Sequence, residues 1–204
     1  MLARGLLPCP SHFDTELKKM MNDVVKIRPP LDEKTVRSLK AGQRVLITGT
    51  IYTARDAAHK RMMELIKKNE PLPFDLKGQI IYYVGPTPAK PGQVVGSAGP
   101  TTSSRMDSYM ETLYKLGLKG TIGKGNRSQE VIDLVRKYKA VHFSNIGGAG
   151  ALIAKTIRKC EMIAFEDLGT EAIHRMEVEN FSAIVAYDSE GNDLYKEAIK
   201  QYGR

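Results

Sequence analysis

The segment Ala98-Gly-Pro-Thr-Thr-Ser-Ser-Arg-Met-Asp107 brings a Gly-Pro turn, a run of four hydroxyl side chains and an arginine into one short stretch. Met106, Tyr109, Met110 and Leu113 then recur at the spacing of one helix face, so the motif reads as a loop running into a helix. Ser104 with Asp107 three residues on is a loose capping box. A helix start presents free N–H groups and the positive end of the helix dipole to an anion. Arg105 adds a planar fork that matches a carboxylate bidentately. The chemistry on offer is capture of a carboxylate or phosphate beside a hydroxyl. A threonine hydroxyl becomes a usable base only where cations lower its pKa. Thr101 and Thr102 are equal candidates for that role, and both can instead serve the turn.

Two further segments carry cations into comparable positions. Arg55, in Tyr52-Thr-Ala-Arg-Asp-Ala-Ala-His59, falls after a strand pattern and in the first turn of a helix that Thr53 can cap. A cation there opposes the helix dipole. A ligand role and a salt bridge to Asp56 or another acid are both open. His59 shares a helix face with Arg55 and reads as a hydrogen-bonded structural histidine. Lys124, in Thr121-Ile-Gly-Lys-Gly-Asn-Arg-Ser128, sits at a strand end between glycines that allow close approach of the backbone to a ligand. This segment lacks the Walker A spacing, and Gly147-Gly-Ala-Gly150 lacks the dinucleotide fingerprint with its following acid.

The elements that must position these residues alternate between strand and helix. Val45–Ile51 and Ile80–Val84 are strand-like, and Ala58, Met62, Leu65 and Ile66 mark a helix that ends at Pro71 and Pro73. A helix over about 105–115 precedes a short strand at Gly120–Ile122, and Ser128 can cap a helix faced by Val131, Leu134, Val135 and Tyr138. Ala140–Ser144 is a strand, Gly147–Gly150 opens a short helix, and strands are predicted near Met162–Phe165 and Ala183–Tyr187 before a last helix over about 193–202. The alternation predicts an α/β domain with a mainly parallel central sheet. The proline-broken stretch from 70 to 99 predicts additional antiparallel strands beside it. Residues 1–40 read as an N-terminal extension, a candidate for contact with a partner chain, and 41–204 as the main α/β domain.

Composition narrows the classes. The chain has 204 residues and a formal charge of +8. Its lysines and arginines are scattered and are not interleaved with aromatics, which argues against nucleic acid. They read as a solvated basic surface, with attraction of small anions or an acidic partner as the next reading. No run approaches the roughly 18 apolar residues of a membrane span, and the N-terminus lacks a signal-peptide core, so a cytoplasmic location is expected. Cys9 and Cys160 alone cannot build a zinc or iron–sulfur site, so no metal ligands are expected in this chain.

Taken together, Thr48-Gly-Thr50, Ala54-Arg-Asp-Ala-Ala-His59, Ala98–Ser108 and Gly123-Lys-Gly-Asn-Arg-Ser128 resemble the β-subunit of class I, iron–sulfur-dependent fumarate hydratase. Ile146-Gly-Gly-Ala-Gly150, Glu166-Asp-Leu-Gly-Thr-Glu-Ala-Ile173 and Glu177-Val-Glu-Asn-Phe181 extend the likeness over roughly residues 40 to 195. The resemblance implies a swivelling β/β/α three-layer domain with a parallel central sheet and a second, antiparallel one. It implies a [4Fe–4S] cluster on a separate α-subunit, an α₂β₂ or homodimeric assembly, and reversible hydration of fumarate to (S)-malate. It puts substrate-binding roles on Arg55, Arg105 and Lys124, and catalytic roles on Thr101 and Lys124. The related L(+)-tartrate dehydratase β-subunit is the nearest rival, although Asn126-Arg-Ser128 and Ala57-Ala-His59 favour fumarate hydratase. A non-catalytic anion-binding module is the alternative from another class.

Overall fold

The computed structural model describes residues 24–203. Four hydrophobic runs form the parallel strands β2 (Arg44–Thr53), β3 (Ile80–Tyr82), β4 (Gly120–Gly123) and β5 (Val141–Ser144). They lie side by side in chain order. β1 (Val24–Ile27) adds a further parallel strand at the edge, in register from Val24 against Arg44 to Ile27 against Ile47. The helices between them are α1 (Glu33–Ser38), α2 (Asp56–Lys67), α3 (Met110–Lys115) and α4 (Gln129–Tyr138). After β5 come the short α5 (Gly150–Ala154), β6 (Ile157–Ala164), β7 (Ile173–Tyr187) and α6 (Leu194–Tyr202). Among the described residues the protein is thus α/β, with one mixed seven-stranded sheet. No helix among them is long and apolar enough to cross a membrane.

The antiparallel part arises from β6 and β7. The expectation that it would come from residues 70–99 is corrected: that stretch contains β3 alone, which is parallel to both its neighbours, followed by loop. Prolines at 86, 88, 91 and 100 cannot donate ladder hydrogen bonds, which keeps the segment irregular. β7 is far longer than the predicted Ala183–Tyr187. Its charged positions Arg175, Glu177 and Glu179 alternate with buried Met176 and Val178, a half-exposed strand pattern. At Glu179–Asn180 the phase slips, so that Phe181, Ala183 and Val185 continue the buried row. Asn180 has φ of 53°, and its N–H donates to Thr48 Oγ1 at 3.0 Å, which supports a bulge.

Two cores lie on opposite faces of the parallel strands. Ile80, Tyr82 and Val84 belong to one, together with Ile47, Ile51, Phe143, Met176 and Phe181. Ile81 and Tyr83 point the other way, to a core shared with Ala58 and Met62 of α2, Met110 and Leu113 of α3, and Val131 and Val135 of α4. The strand period of two thus distributes alternate residues between a sheet partner and a helix layer. Residues 24–40 join the first core through Ile27, Leu31, Val36 and Leu39. Asp32 caps α1 by accepting from Thr35 N–H at 2.7 Å. Residues 1–23 of the expected extension lie outside the described residues.

Phe181 is almost fully buried beside Tyr82, with ring centroids 5.2 Å apart. Phe181→Ala is expected to cost about 3–5 kcal/mol, read as a lowered urea midpoint with an unchanged transition slope.

Candidate active site

All four inner parallel strands end on the same edge of the sheet, and the segments flagged by their chemistry follow directly. β2 ends at Thr53 ahead of Arg55, and β4 ends at Gly123 ahead of Lys124. Where β3 leaves the sheet, the hydroxyl loop takes its place. Thr101 N–H donates to Tyr83 O at 2.7 Å, Lys124 N–H to Thr101 O at 3.1 Å, and Ser103 N–H to Lys124 O at 2.8 Å. This short ladder fastens Thr101–Ser103 beside Lys124. The crevice outside the carboxyl ends of parallel strands is the usual ligand position in α/β sheets.

Glycine at 123 is required by this junction. A Cβ there would stand 2.9 Å from the Tyr83 ring and collide with Ser103 Oγ. The glycine therefore accommodates neighbouring protein atoms, where close approach to a ligand was expected. Tyr82 Oη donates to Ala98 O at 2.5 Å and holds the start of the loop. On its far side, Ala98 N–H donates to Gly150 O at 3.1 Å, which ties the loop to the Gly147–Gly150 turn.

The two arginines meet at Asp56, the first residue of α2. Arg105 grips it side-on, with Nε 2.9 Å from Oδ1 and Nη2 2.8 Å from Oδ2. Arg55 Nη2 lies 3.8 Å from Asp56 Oδ2 and 3.5 Å from Glu171 Oε1, which are ion-pair distances beyond hydrogen bonding. Glu171 in turn accepts from Ala57 N–H at 3.0 Å. Arg55 is about three-quarters buried, and its Nε has no partner. Lys124 is exposed, and among the described residues no acid pairs with it. The structure therefore brings Arg55, Arg105, Thr101 and Lys124 to one place. Thr101 is partly buried and Thr102 exposed, and each offers a hydroxyl at the Lys124 junction.

Three local expectations are corrected. The segment Ser103–Tyr109 is a 3₁₀ helix, and the α-helix begins only at Met110, so Arg105 projects from a tight turn. The capping box does not form; the cap residue is Thr102, with no side-chain bond. Asp107 instead accepts from Arg127 Nε at 2.6 Å and from Ser128 N–H at 2.8 Å. Thr53 does not cap α2. It stays in β2, where Oγ1 accepts from His174 N–H at 2.9 Å, and Arg55 itself is the cap residue.

Sequence reasoning assigned Asp56 only to a salt bridge with Arg55 and gave Asp107 and Arg127 no functional part. Their adjacency to the flagged arginine and lysine was the signal available. Arg127 is buried between Asp107 and Tyr83. His59 was read as structural, and the structure agrees. Its Nδ1 lies 2.9 Å from Arg55 O, an acceptor, so Nδ1 carries the proton. Burial lowers its pKa to about 4, helped by the nearby Arg127 charge. Burial also lowers that of His142, well below the ordinary value.

No cluster of His, Cys, Asp and Glu among the described residues can hold a metal ion. Cys160 lies on β6, half-buried, with burial pushing its thiol up to about 11. It is the single free cysteine among the described residues and does not fit an iron–sulfur cluster.

A family model described as Fumarase C-terminus matches residues 8–198. The chain is 41% identical over 177 residues to a Methanocaldococcus jannaschii protein provisionally named L(+)-tartrate dehydratase subunit beta, covering 84% of this chain and 91% of that one. It is 38% identical over 179 residues to fumarate hydratase 2 of Leishmania major, covering 86% of this chain but 32% of the relative. Against the anaerobic class I fumarate hydratase of Escherichia coli strain K12 the identity is 41% over 160 residues, covering 78% and 29%. The chain thus spans about a third of the fumarate hydratases it matches and nearly all of the subunit.

Two measurements check the site. Gly123→Ala should separate Ser103 from Lys124 and cost about 1–3 kcal/mol of stability by overpacking, read by thermal unfolding. His59 has a folded pKa of about 4, below its unfolded value near 6.5, so the unfolded chain binds more protons between them. The stability this contributes is present above pH 6.5 and lost as pH falls through 4, and amounts to about 3 kcal/mol. His59→Asn, which retains a donor for the Arg55 carbonyl, should flatten that part of the urea-unfolding profile.

Proposed function

The chain belongs to the Fumarase C-terminus family, and we propose that it is the β-subunit of a two-subunit class I fumarate hydratase, catalysing reversible hydration of fumarate to (S)-malate. The observation that carries this reading is that Arg55 and Arg105 share Asp56 while a backbone ladder fastens Thr101–Ser103 beside Lys124 at the same sheet edge. Arg105 already faces a carboxylate, its Nε donating to Asp56 Oδ1 at 2.9 Å with Nη2 at ion-pair distance from Oδ2. That side-on contact leaves the end-on Nη donors for a substrate carboxylate. Arg55, with no hydrogen bond closer than its ion pairs, supplies the second clamp for a dianion.

In the malate-to-fumarate direction, Thr101 as its alkoxide takes the C3 proton while the C2–O bond breaks, and a bound cluster would supply the Lewis acidity that accepts the departing hydroxide. The surrounding cations lower the pKa of its hydroxyl and stabilise the charge that builds on the adjacent carboxylate. In this reading a [4Fe–4S] cluster is carried by a partner α-subunit; among the described residues no group of His, Cys, Asp and Glu could hold a metal ion. The isolated chain is then inactive. The two cores flanking the parallel strands, one under β6–β7 and one under the helices, support the three-layer swivelling domain. We further propose a cytoplasmic α₂β₂ assembly in which residues 1–40 help contact the α-subunit.

The near-complete match to a tartrate dehydratase subunit by name favours a second reading, L(+)-tartrate as substrate. Co-expression with a candidate α-subunit, anaerobic reconstitution and fumarate absorbance separate the two. Turnover of malate is expected, and turnover of L-tartrate alone supports the rival. A complex with an intact cluster that turns over neither would sink both. Arg105→Ala should lower kcat/KM by about 3 kcal/mol, and a loss within about threefold would exclude the clamp. Thr101→Val should lower kcat by about 100-fold or more with Thr102→Val nearly silent, and the reverse order would move the base to Thr102.

A further inference from the structure

Arg127 has a side chain with no solvent exposure, an unusual place for a guanidinium. Its Nε donates to Asp107 Oδ1 at 2.6 Å, its Nη1 donates to Tyr83 Oη at 3.2 Å, and its Cζ lies 5.5 Å from the Tyr83 ring centroid. Its backbone N–H donates to Tyr187 Oη at 3.1 Å. The second oxygen of Asp107 accepts from Ser128 N–H at 2.8 Å. One carboxylate thus bolts the Lys124–Ser128 turn to the 3₁₀ turn that carries Arg105.

The same centre reaches Arg55. His59 rests on Tyr109 and edges onto Tyr83, with centroids 5.4 and 5.6 Å away, and both its N–H and its Nδ1–H donate to Arg55 O. Tyr83 is therefore ringed by groups that each end on a different site segment.

Stability alone does not account for this arrangement. Arg127 Nη2 and His59 Nε2 are buried with no partner, and such orphans cost free energy. An apolar side chain of similar volume in place of a buried ion pair is often neutral or stabilising. What apolar packing cannot supply is a directional link between two turns. Burial opposes the charge on Arg127, and Tyr83, Tyr114 and Asp107 outweigh it, so the side chain stays a cation.

We propose that Arg127, clamped by Asp107 against Tyr83, is a positioning residue that sets Lys124 against Arg105 and Thr101. It touches no substrate and acts through the two turns it joins. The proposal rests on the hydro-lyase reading above for its catalytic consequence, and on the hydrogen bonds alone for its structural one.

The test compares the wild-type complex, reconstituted with its α-subunit and cluster, with Arg127→Met and with the double variant Asp107→Leu/Arg127→Met. The single change strands a partly buried carboxylate and is expected to lower the unfolding temperature. The double change removes both charges and should recover most of that loss. Its kcat should nevertheless stay about 100-fold down, because the turns are no longer registered. Amide exchange at Thr101, Ser103 and Lys124 should accelerate about tenfold or more, with β7 still protected. Arg127→Lys, which retains the charge without the fork, should fall between. A double variant that keeps wild-type kcat/KM and loop protection overturns the proposal. So does one whose protection falls equally in β7. If the wild-type complex acts on neither malate nor L-tartrate, the activity reading fails, and the exchange comparison alone decides the role of Arg127.

Discussion

The pairing of β7 with both β2 and β5 is the constraint on which the remaining structure depends. β7 runs antiparallel to β2 from Arg44 to Tyr52 and to β5 at His142–Ser144. The parallel strands β2 to β5 are thereby tied at both sides by one continuous strand. Their carboxyl ends then finish together, and the residues that follow each strand have one place to go. Parallel pairing through β3 sets Arg55 and Lys124 after neighbouring strand ends, and β7 closes the sheet beside them. The bulge at Glu179–Asn180 keeps the buried face of β7 in phase along its length.

Electrostatics then gives the shared edge its character. Arg55, Arg105 and Lys124 gather there with Asp56 and Glu171 as the neighbouring acids. Two like charges about 4 Å apart at a protein surface repel by roughly 4 kcal/mol at an effective dielectric of 20. Asp56 offsets part of that by sitting between the arginines. Three cations against two acids leave this edge with a net positive charge, which attracts an anion. The neighbouring buried centre of Tyr83, Arg127, Asp107 and His59 joins these segments by hydrogen bonds.

Much of the site was legible in the residue order. Arg55 and Lys124 stand out because each follows a strand pattern, and Arg105 because it follows a hydroxyl run at a helix start, whereas residue order left Thr101 and Thr102 equal. Helix and strand alternation was visible for the same reason, as periods of 3.6 and 2. The failures have physical causes. The first half of β7 is half-exposed and interrupted by a bulge, so its charged residues hid it. The region 70–99 has strand-like residues but too many prolines for a ladder. Asp107 looked like a local cap because its true partners, Arg127 and Ser128, lie about twenty residues away in sequence.

Sequence alone determined most of the helix–strand alternation and which side chains carry charge, because those follow from local periodicity and residue chemistry. Only the tertiary structure decided what each group faces. It made Asp56 the partner of Arg105 as well as of Arg55. It set the hydroxyl loop in the place vacated by β3 beside Lys124. It buried Arg127 as a joint between two turns. Those outcomes depend on distances between segments far apart in the chain, which no local pattern encodes and which strand pairing and packing alone determine.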